Sequence, residues 1–318
     1  MSLALLFPGQ GAQRPGMLHN LPDIQAAIAL VDESLSYLGQ LGLTDDLDTA
    51  EALKSTTNAQ LALLIAGVAC SRALVVDQGV IPAFVAGHSV GAFSAAVTAG
   101  VLTLPEALEA VVLRGRLMEE ACAERDWGMA AVTGLPTRSA KDLAEQVTTA
   151  TDPLWVANVN SATQTVFSGS DIALQRACEA AKHAGALDYE LLDVSIASHC
   201  PLQEGTARCL AEHLVTLPRR APTAAYLTNT RGRSTTSAET VMEDLAQSVV
   251  HPVQWFDAIR LMGELGATCA IETQPGHVLT RLLSSAAPGI RAIAMHDNDF
   301  ATVVARTQRI LREPIVSG

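Results

Sequence analysis

Paired cysteines are missing from this 318-residue chain: it has six cysteines and no C-x-x-C motif. Cys70, Cys122, Cys178, Cys200, Cys209 and Cys269 are scattered, mostly in helical patterns where a free thiol behaves as a small buried hydrophobe. Neither disulfides nor a structural zinc or other metal site is expected. Basic residues are scarce, with 21 Lys and Arg against 33 Asp and Glu and a formal net charge of −12. The imbalance lies in residues 1–207, which hold 10 bases and 23 acids, whereas 208–318 hold 11 and 10. Without a concentrated basic footprint, nucleic acid is not an expected ligand. Five arginines in the last third (Arg208, Arg219, Arg220, Arg231 and Arg233) read either as ordinary solvated surface or as a docking face for an acidic partner. Apolar runs fall short of the about 18 residues that a membrane span needs. The opening MSLALLFPGQG has no basic segment before its few apolar residues. A cytoplasmic location and no membrane partner are expected. Internal repeats and low-complexity tracts are absent.

What is present is an enzyme-sized α/β pattern, 49% hydrophobic and 17% charged. Short apolar runs at 3–7, 83–87, 269–273 and 290–295 read as buried strands, and helical periodicity fills 22–37, 58–78, 105–122, 238–249 and 299–312. This alternation predicts a parallel, helix-covered sheet. Between 127 and 192 the order becomes strand, helix, two strands, helix, strand, the signature of a split βαβ unit. The fold expected is therefore α/β: a large subdomain from 1–126 and 193–318, interrupted by a small ferredoxin-like subdomain at 127–192.

One strand runs into Gly87-His88-Ser89-Val90-Gly91 and then into small residues suited to a helix start. Gly-x-Ser-x-Gly between strand and helix is what a nucleophile elbow requires, with glycines where a Cβ would clash and a helix dipole favouring negative charge at the serine. Ser89 is thus a candidate nucleophile. His88 should point away from Ser89 in so tight a turn, which suits a supporting role better than that of a base. The first strand leads into LFPGQGAQRPGM, where Gly9, Gly11 and Gly16 allow backbone N–H groups to converge on an oxyanion. A dinucleotide fingerprint would need glycine at position 14, which is Arg14.

In the helix around PEALEAVVLRGRLMEEAC, Ala107, Ala110, Val111, Arg114, Met118 and Ala121 recur at helical spacing, so Arg114 interrupts an apolar stripe. Arg116 shares its side with Glu109 and Glu120 and reads as solvated. A buried guanidinium requires a carboxylate, from the protein or from a ligand, and its planar fork fits either. A base for Ser89 is offered by His199 in DVSIASHCPLQ. Asp188 and Asp193 are the near acids, and nothing singles them out. A backbone carbonyl would orient the imidazole equally well.

The segments FPGQGAQ (7–13), GHSVG (87–91), LRGRLM (113–118), GMAAV (128–132), VANVNS (156–161), SHC (198–200), HPVQW (251–255) and QPGHVL (274–279) resemble, in order and spacing, the malonyl-CoA:acyl carrier protein transacylases. The resemblance covers essentially the whole chain. It implies an α/β-hydrolase-like large subdomain and a ferredoxin-like small one. It also implies acyl transfer by way of Ser89 with His199 as base, and an oxyanion hole from the N–H groups of Gln10 and Val90. Arg114 would bind the malonyl carboxylate, while Met118 and Asn160 would line the acyl and thiol-arm pocket. A main-chain carbonyl near Ser248, where the family commonly has Gln, would orient His199. The partners implied are malonyl-CoA as donor and a phosphopantetheine-type thiol on an acyl carrier protein as acceptor, with no bound cofactor.

Two departures stand out. The family's Leu-Gly-Glu-Tyr after the serine is Val90-Gly91-Ala92-Phe93 here. The opening FPGQGAQRPGMLHNLP is similar to the epsilon subunit of malonate decarboxylase, whose acceptor would be that complex's dedicated carrier subunit, and the transacylase of fatty acid synthesis is the alternative. Two other classes share parts of the pattern. A serine esterase would use the same elbow without needing Arg114, and a non-catalytic docking subunit would tolerate loss of Ser89 and His199.

Overall fold

The computed structural model describes residues 2–43 and 46–313. The chain begins with β1 (Ser2–Phe7), α1 (Gln25–Gln40), α2 (Thr56–Arg72), β2 (Phe84–Gly87), α3 (Gly91–Thr98) and α4 (Leu104–Ala121). A second unit follows: β3 (Trp127–Thr133), α5 (Thr137–Val147), β4 (Leu154–Val159), β5 (Gln164–Ser170), α6 (Asp171–His183) and β6 (Asp188–Leu191). The chain then returns through α7 (Glu204–Val215), β7 (Ala225–Leu227), β8 (Ser234–Thr235), α8 (Ala238–Gln247), α9 (Trp255–Glu264), β9 (Ala267–Glu272), α10 (Val278–Ala286), β10 (Arg291–Ala294) and α11 (Phe300–Arg312).

The larger sheet has the order β10-β9-β1-β2-β7-β8. Its first five strands are mutually parallel, whereas β8 runs antiparallel to β7, a correction to the all-parallel expectation. The link from Leu227 to Ser234 is too short for a crossover, so those two strands can pair only as a hairpin. Strand β1 lies between β2 and β9, with Leu3 to Phe7 all buried. This accounts for its unbroken apolar run, since a strand covered on both faces has no polar side.

A second correction concerns membrane-length segments. Helix α2 continues through a π-helical turn, Ala73–Asp77, and Thr56–Asp77 is long and apolar enough to cross a bilayer by length and composition. Its length is instead buried inside the fold, packed by α1, α3 and α4. Asn58, Gln60, Gly67 and Ser71 break up the run, so the sequence shows no continuous apolar stretch.

The smaller sheet has the order β4-β5-β3-β6 with every neighbour antiparallel, the ferredoxin-like arrangement. On one face α5 and α6 pack through Leu143, Ala144, Leu174 and Ala177 against Ala130, Val132 and Phe167. The opposite face meets the segment carrying His199, through Ser198 Oγ to Met129 Sδ at 3.2 Å and Ser168 Oγ to Cys200 Sγ at 3.6 Å. Backbone bonds from Val159 N to Val253 O and from Val253 N to Ala157 O tie β4 to the chain after α8. The smaller sheet thus forms one wall of the region around His199.

Candidate active site

Ser89 sits at the apex of the turn between β2 and α3, with φ of 53°, the left-handed region that a non-glycine residue seldom occupies. The flanking glycines are obligatory for steric reasons. A Cβ on Gly87 would lie 2.0 Å from Gly91 C, and one on Gly91 would lie 2.2 Å from Phe7 O. Likewise, a Cβ on Gly9 would lie 2.5 Å from His88 O, so the loop after β1 abuts the elbow backbone. This close approach brings Gln10 and Val90, the expected oxyanion donors, onto adjoining turns, and neither N–H takes part in the hydrogen bonds of those turns.

His199 also has a positive φ, 60°, and is 2% exposed. Its Nε2 lies 2.8 Å from Ser89 Oγ, and its Nδ1 bonds the carbonyl oxygen of Ser248, at the end of α8. Because a carbonyl only accepts, Nδ1 carries the ring proton and Nε2 presents its lone pair to the serine hydroxyl. Burial, and next the charge of Arg114, push the His199 pKa down to about 3, so the ring is neutral at physiological pH. Asp188, on β6, and Asp193, just after it, are exposed, whereas His199 is buried.

Arg114 is 1% exposed, on the inward stripe of α4, and Arg116 is exposed on the outer side. Helix α4 starts at a Thr103–Glu106 capping box and passes close to α2, where a Cβ on Gly115 would lie 2.6 Å from Thr57 Cα. That proximity places Gln60 against Arg114. Arg114 Nη1 donates to Gln60 Oε1 at 2.5 Å and Nη2 donates to Ser89 Oγ at 3.1 Å, while Nε is buried without a partner. Burial lowers its pKa to about 9, which leaves it protonated at neutral pH. Among the described residues no carboxylate pairs with it, so the protein supplies only neutral partners to a buried cation. Such a group strongly favours an anion beside the serine hydroxyl.

Gln60 was not among the expected site residues. Its Nε2 donates to Gln10 Oε1 at 3.0 Å and contacts Met118 Sδ at 3.6 Å, so one carboxamide links the guanidinium, the loop after β1 and Met118 on α4. A fully buried Gln in an apolar helix carries the same sequence signal as Arg114, a polar interruption of a core face. Asn160 is brought to His88, not to Ser89 directly. His88 Nε2 lies 3.1 Å from Asn160 Oδ1, Asn160 Nδ2 donates to Gln164, and His88 packs edge-on against Trp255. The arginine patch is partly committed to the fold: Arg220 forms a two-pronged pair with Glu106 at 2.7 and 2.9 Å, and Arg219 caps carbonyls at the end of α7. Arg208, Arg231 and Arg233 are exposed. A cleft of about 470 Å³ along the β4 edge of the smaller sheet, lined by Trp155, Val250, His251 and Pro252 among others, reaches His199.

A serine–imidazole pair next to an unpaired guanidinium is arranged for acyl chemistry, and the acyl transferase domain matches residues 4–313. The chain is 35% identical to the malonyl CoA-acyl carrier protein transacylase of Salmonella typhimurium over 298 residues, 92% of this chain and 96% of that one. It superposes with a TM-score of 0.88 on the malonyl CoA-acyl carrier protein transacylase of Coxiella burnetii, 29% identical and covering 98% of both chains. It superposes at 0.87 on a malonyl-transacylase solved with its type II polyketide acyl-carrier protein, 33% identical, covering 97% of this chain and 100% of that one. This chain belongs to the malonyl CoA-acyl carrier protein transacylase family.

Proposed function

We propose that the protein transfers malonyl groups from malonyl-CoA to the thiol of an acyl carrier protein through a malonyl-Ser89 intermediate. The observation that carries this reading is the buried Arg114 guanidinium, 3.1 Å from Ser89 Oγ and with no carboxylate partner among the described residues. A donor whose acyl group ends in a carboxylate fills that role, with two charge-assisted hydrogen bonds to the guanidinium fork. An acyl group without the carboxylate leaves the cation unpaired.

In the first half-reaction the Ser89 hydroxyl gives its proton to His199 Nε2 as Oγ attacks the thioester carbon. The tetrahedral oxyanion is received by the N–H groups of Gln10 and Val90, each worth on the order of 3 kcal/mol in a water-excluded site. As the C–S bond breaks, the CoA sulfur takes the proton back from His199. In the second half-reaction the carrier thiol gives its proton to His199 and attacks the malonyl ester, and Ser89 recovers its hydrogen. One base and one oxyanion hole therefore serve both directions. These steps balance with the chain's own residues and need no metal or redox group.

As acceptor, a general acyl carrier protein is favoured over the dedicated carrier of malonate decarboxylase. Transacylases of the first kind match at 35% and 32% identity across 92% and 96% of this chain. The second rests on the opening segment FPGQGAQRPGMLHNLP alone. The decisive experiment is an intact mass spectrum after brief exposure to malonyl-CoA. One added malonyl group on Ser89 is expected, discharged by a thiol-form acyl carrier protein. Release of malonate to water without an acyl-enzyme would make the protein an esterase, and faster discharge by the decarboxylase carrier would reverse the acceptor assignment.

A further inference from the structure

Ser89 and His199 are both held in left-handed backbone conformations, and the contacts that hold them lead to a single helix. The β2–β7 ladder ends at the pair Ala86–Leu227, and past that point the elbow backbone keeps β1 as a neighbour but has no strand on its β7 side. The Asn229 side chain takes its place. Asn229 Oδ1 accepts from Ser89 N at 2.9 Å, and Asn229 Nδ2 donates to Gly87 O at 2.9 Å, so one carboxamide bridges both sides of the turn. Asn229 is 3% exposed, and its own backbone N donates to Asp244 Oδ2 at 2.9 Å. Asp244, on α8, is 2% exposed and also accepts from Tyr226 OH at 3.0 Å, Thr230 N at 2.9 Å and Thr230 Oγ1 at 2.7 Å. One turn further along, where α8 ends, the Ser248 carbonyl holds His199 Nδ1.

We propose that Asn229 is a positioning residue for Ser89, anchored by Asp244, and that α8 thereby sets the serine–imidazole geometry from both sides. A φ of 53° is strained for a non-glycine residue and persists only where the surroundings enforce it. The paired bonds at Gly87 O and Ser89 N enforce it here. The carboxylate that a serine hydrolase places on its histidine has a counterpart in this fold on the nucleophile's side, acting two links away from the reacting atoms.

This proposal rests on Ser89 being the nucleophile, and its test is separate from the identity of the substrate. Wild type, Asn229→Ala, Asn229→Asp and Thr230→Ala would be labelled with a fluorophosphonate, which reports Ser89 reactivity without a malonyl group, and acylated with malonyl-CoA in single turnover. Folding would be checked by circular dichroism. Displacing the serine by about 1 Å costs on the order of 100-fold. Asn229→Ala is therefore expected to lower both labelling and the maximal acylation rate by about that factor, with half-saturating malonyl-CoA little changed. Asn229→Asp, which keeps an acceptor for Ser89 N, is expected to recover part of the loss, and Thr230→Ala to lose a few-fold. Folded Asn229→Ala labelled at the wild-type rate overturns the proposal. If that variant does not fold, Asn229→Asp and Thr230→Ala both reacting at the wild-type rate overturn it equally. Wild type that labels with the probe but takes no malonyl group would refute the transfer reading and leave this one standing.

Discussion

The nucleophile and its base meet at 2.8 Å, yet they arrive there by different routes. Ser89 is placed by five consecutive residues: a strand end, two glycines whose Cβ atoms would strike backbone, and a helix start. His199 lies in a segment without regular structure between β6 and α7. It is held by a carbonyl 49 residues away and by the face of the smaller sheet. The nucleophile takes its shape from its own turn and draws on one distant amide, Asn229, to hold it. A base built from afar depends on every element that packs around it.

The largest expected effect tests that pairing directly. Ser89→Ala should abolish acyl-enzyme formation, and His199→Ala should slow it by roughly four to six orders of magnitude, as for serine–histidine pairs elsewhere, with both read by quenched-flow mass spectrometry. A His199 variant retaining a tenth of the wild-type rate would break the view that the distant element supplies the base.

Arg114 comes next. Truncating one member of a buried charge pair costs about 2–5 kcal/mol, so Arg114→Ala should lose malonyl transfer by about 30- to 5,000-fold while acetyl transfer from acetyl-CoA falls little. Equal losses with the two donors would assign Arg114 to holding the elbow, not to recognising a carboxylate.

A pH profile sharpens the comparison at the base. With its pKa down at about 3, His199 stays in the proton-accepting form through the mildly acidic range, so fluorophosphonate labelling of Ser89 should be flat from about pH 8 to pH 5. The Arg114 cation disfavours the imidazolium, so removing it raises the His199 pKa. The acid limb of Arg114→Ala should therefore move to higher pH. A limb near pH 6.5 in wild type would mean that the imidazole is not desolvated.

Ser248 carries the smallest expectation. Only its carbonyl meets His199, and its hydroxyl donates to Leu245 O within α8. Ser248→Ala should leave the maximal rate within about twofold, because the bond it removes lies within α8 and the carbonyl that meets the imidazole is kept. A loss of 100-fold would show that the side chain, not the main chain, orients the base.

Much of the fold was legible because its signals are local and repeated. Strands β1, β2, β9 and β10 and the β-α-β-β-α-β order of the smaller unit follow from unbroken apolar runs and helical periodicity. Three-residue β7 and two-residue β8 offer no period to detect, and α7, α9 and α10 are short, at 12, 10 and 9 residues. In the site, Ser89 and Arg114 were legible from a steric motif and a misplaced charge. Gln60 carried the same kind of signal more weakly, because an uncharged amide within an apolar helix costs less to bury than a guanidinium.

By itself, then, the sequence determined the elbow, the buried arginine and the division into two sheets, since glycine sterics, charge burial and side-chain period act over a few residues. Only the tertiary structure decided that Gln60 and Ser89 receive the guanidinium, that Ser248 orients the base and that Asn229 grips the elbow. Each of these contacts joins residues dozens of positions apart through an amide, a hydroxyl or a backbone carbonyl. Such groups leave no mark on composition or periodicity, and they acquire a partner only when sheet order and helix packing bring them within about 3 Å of it.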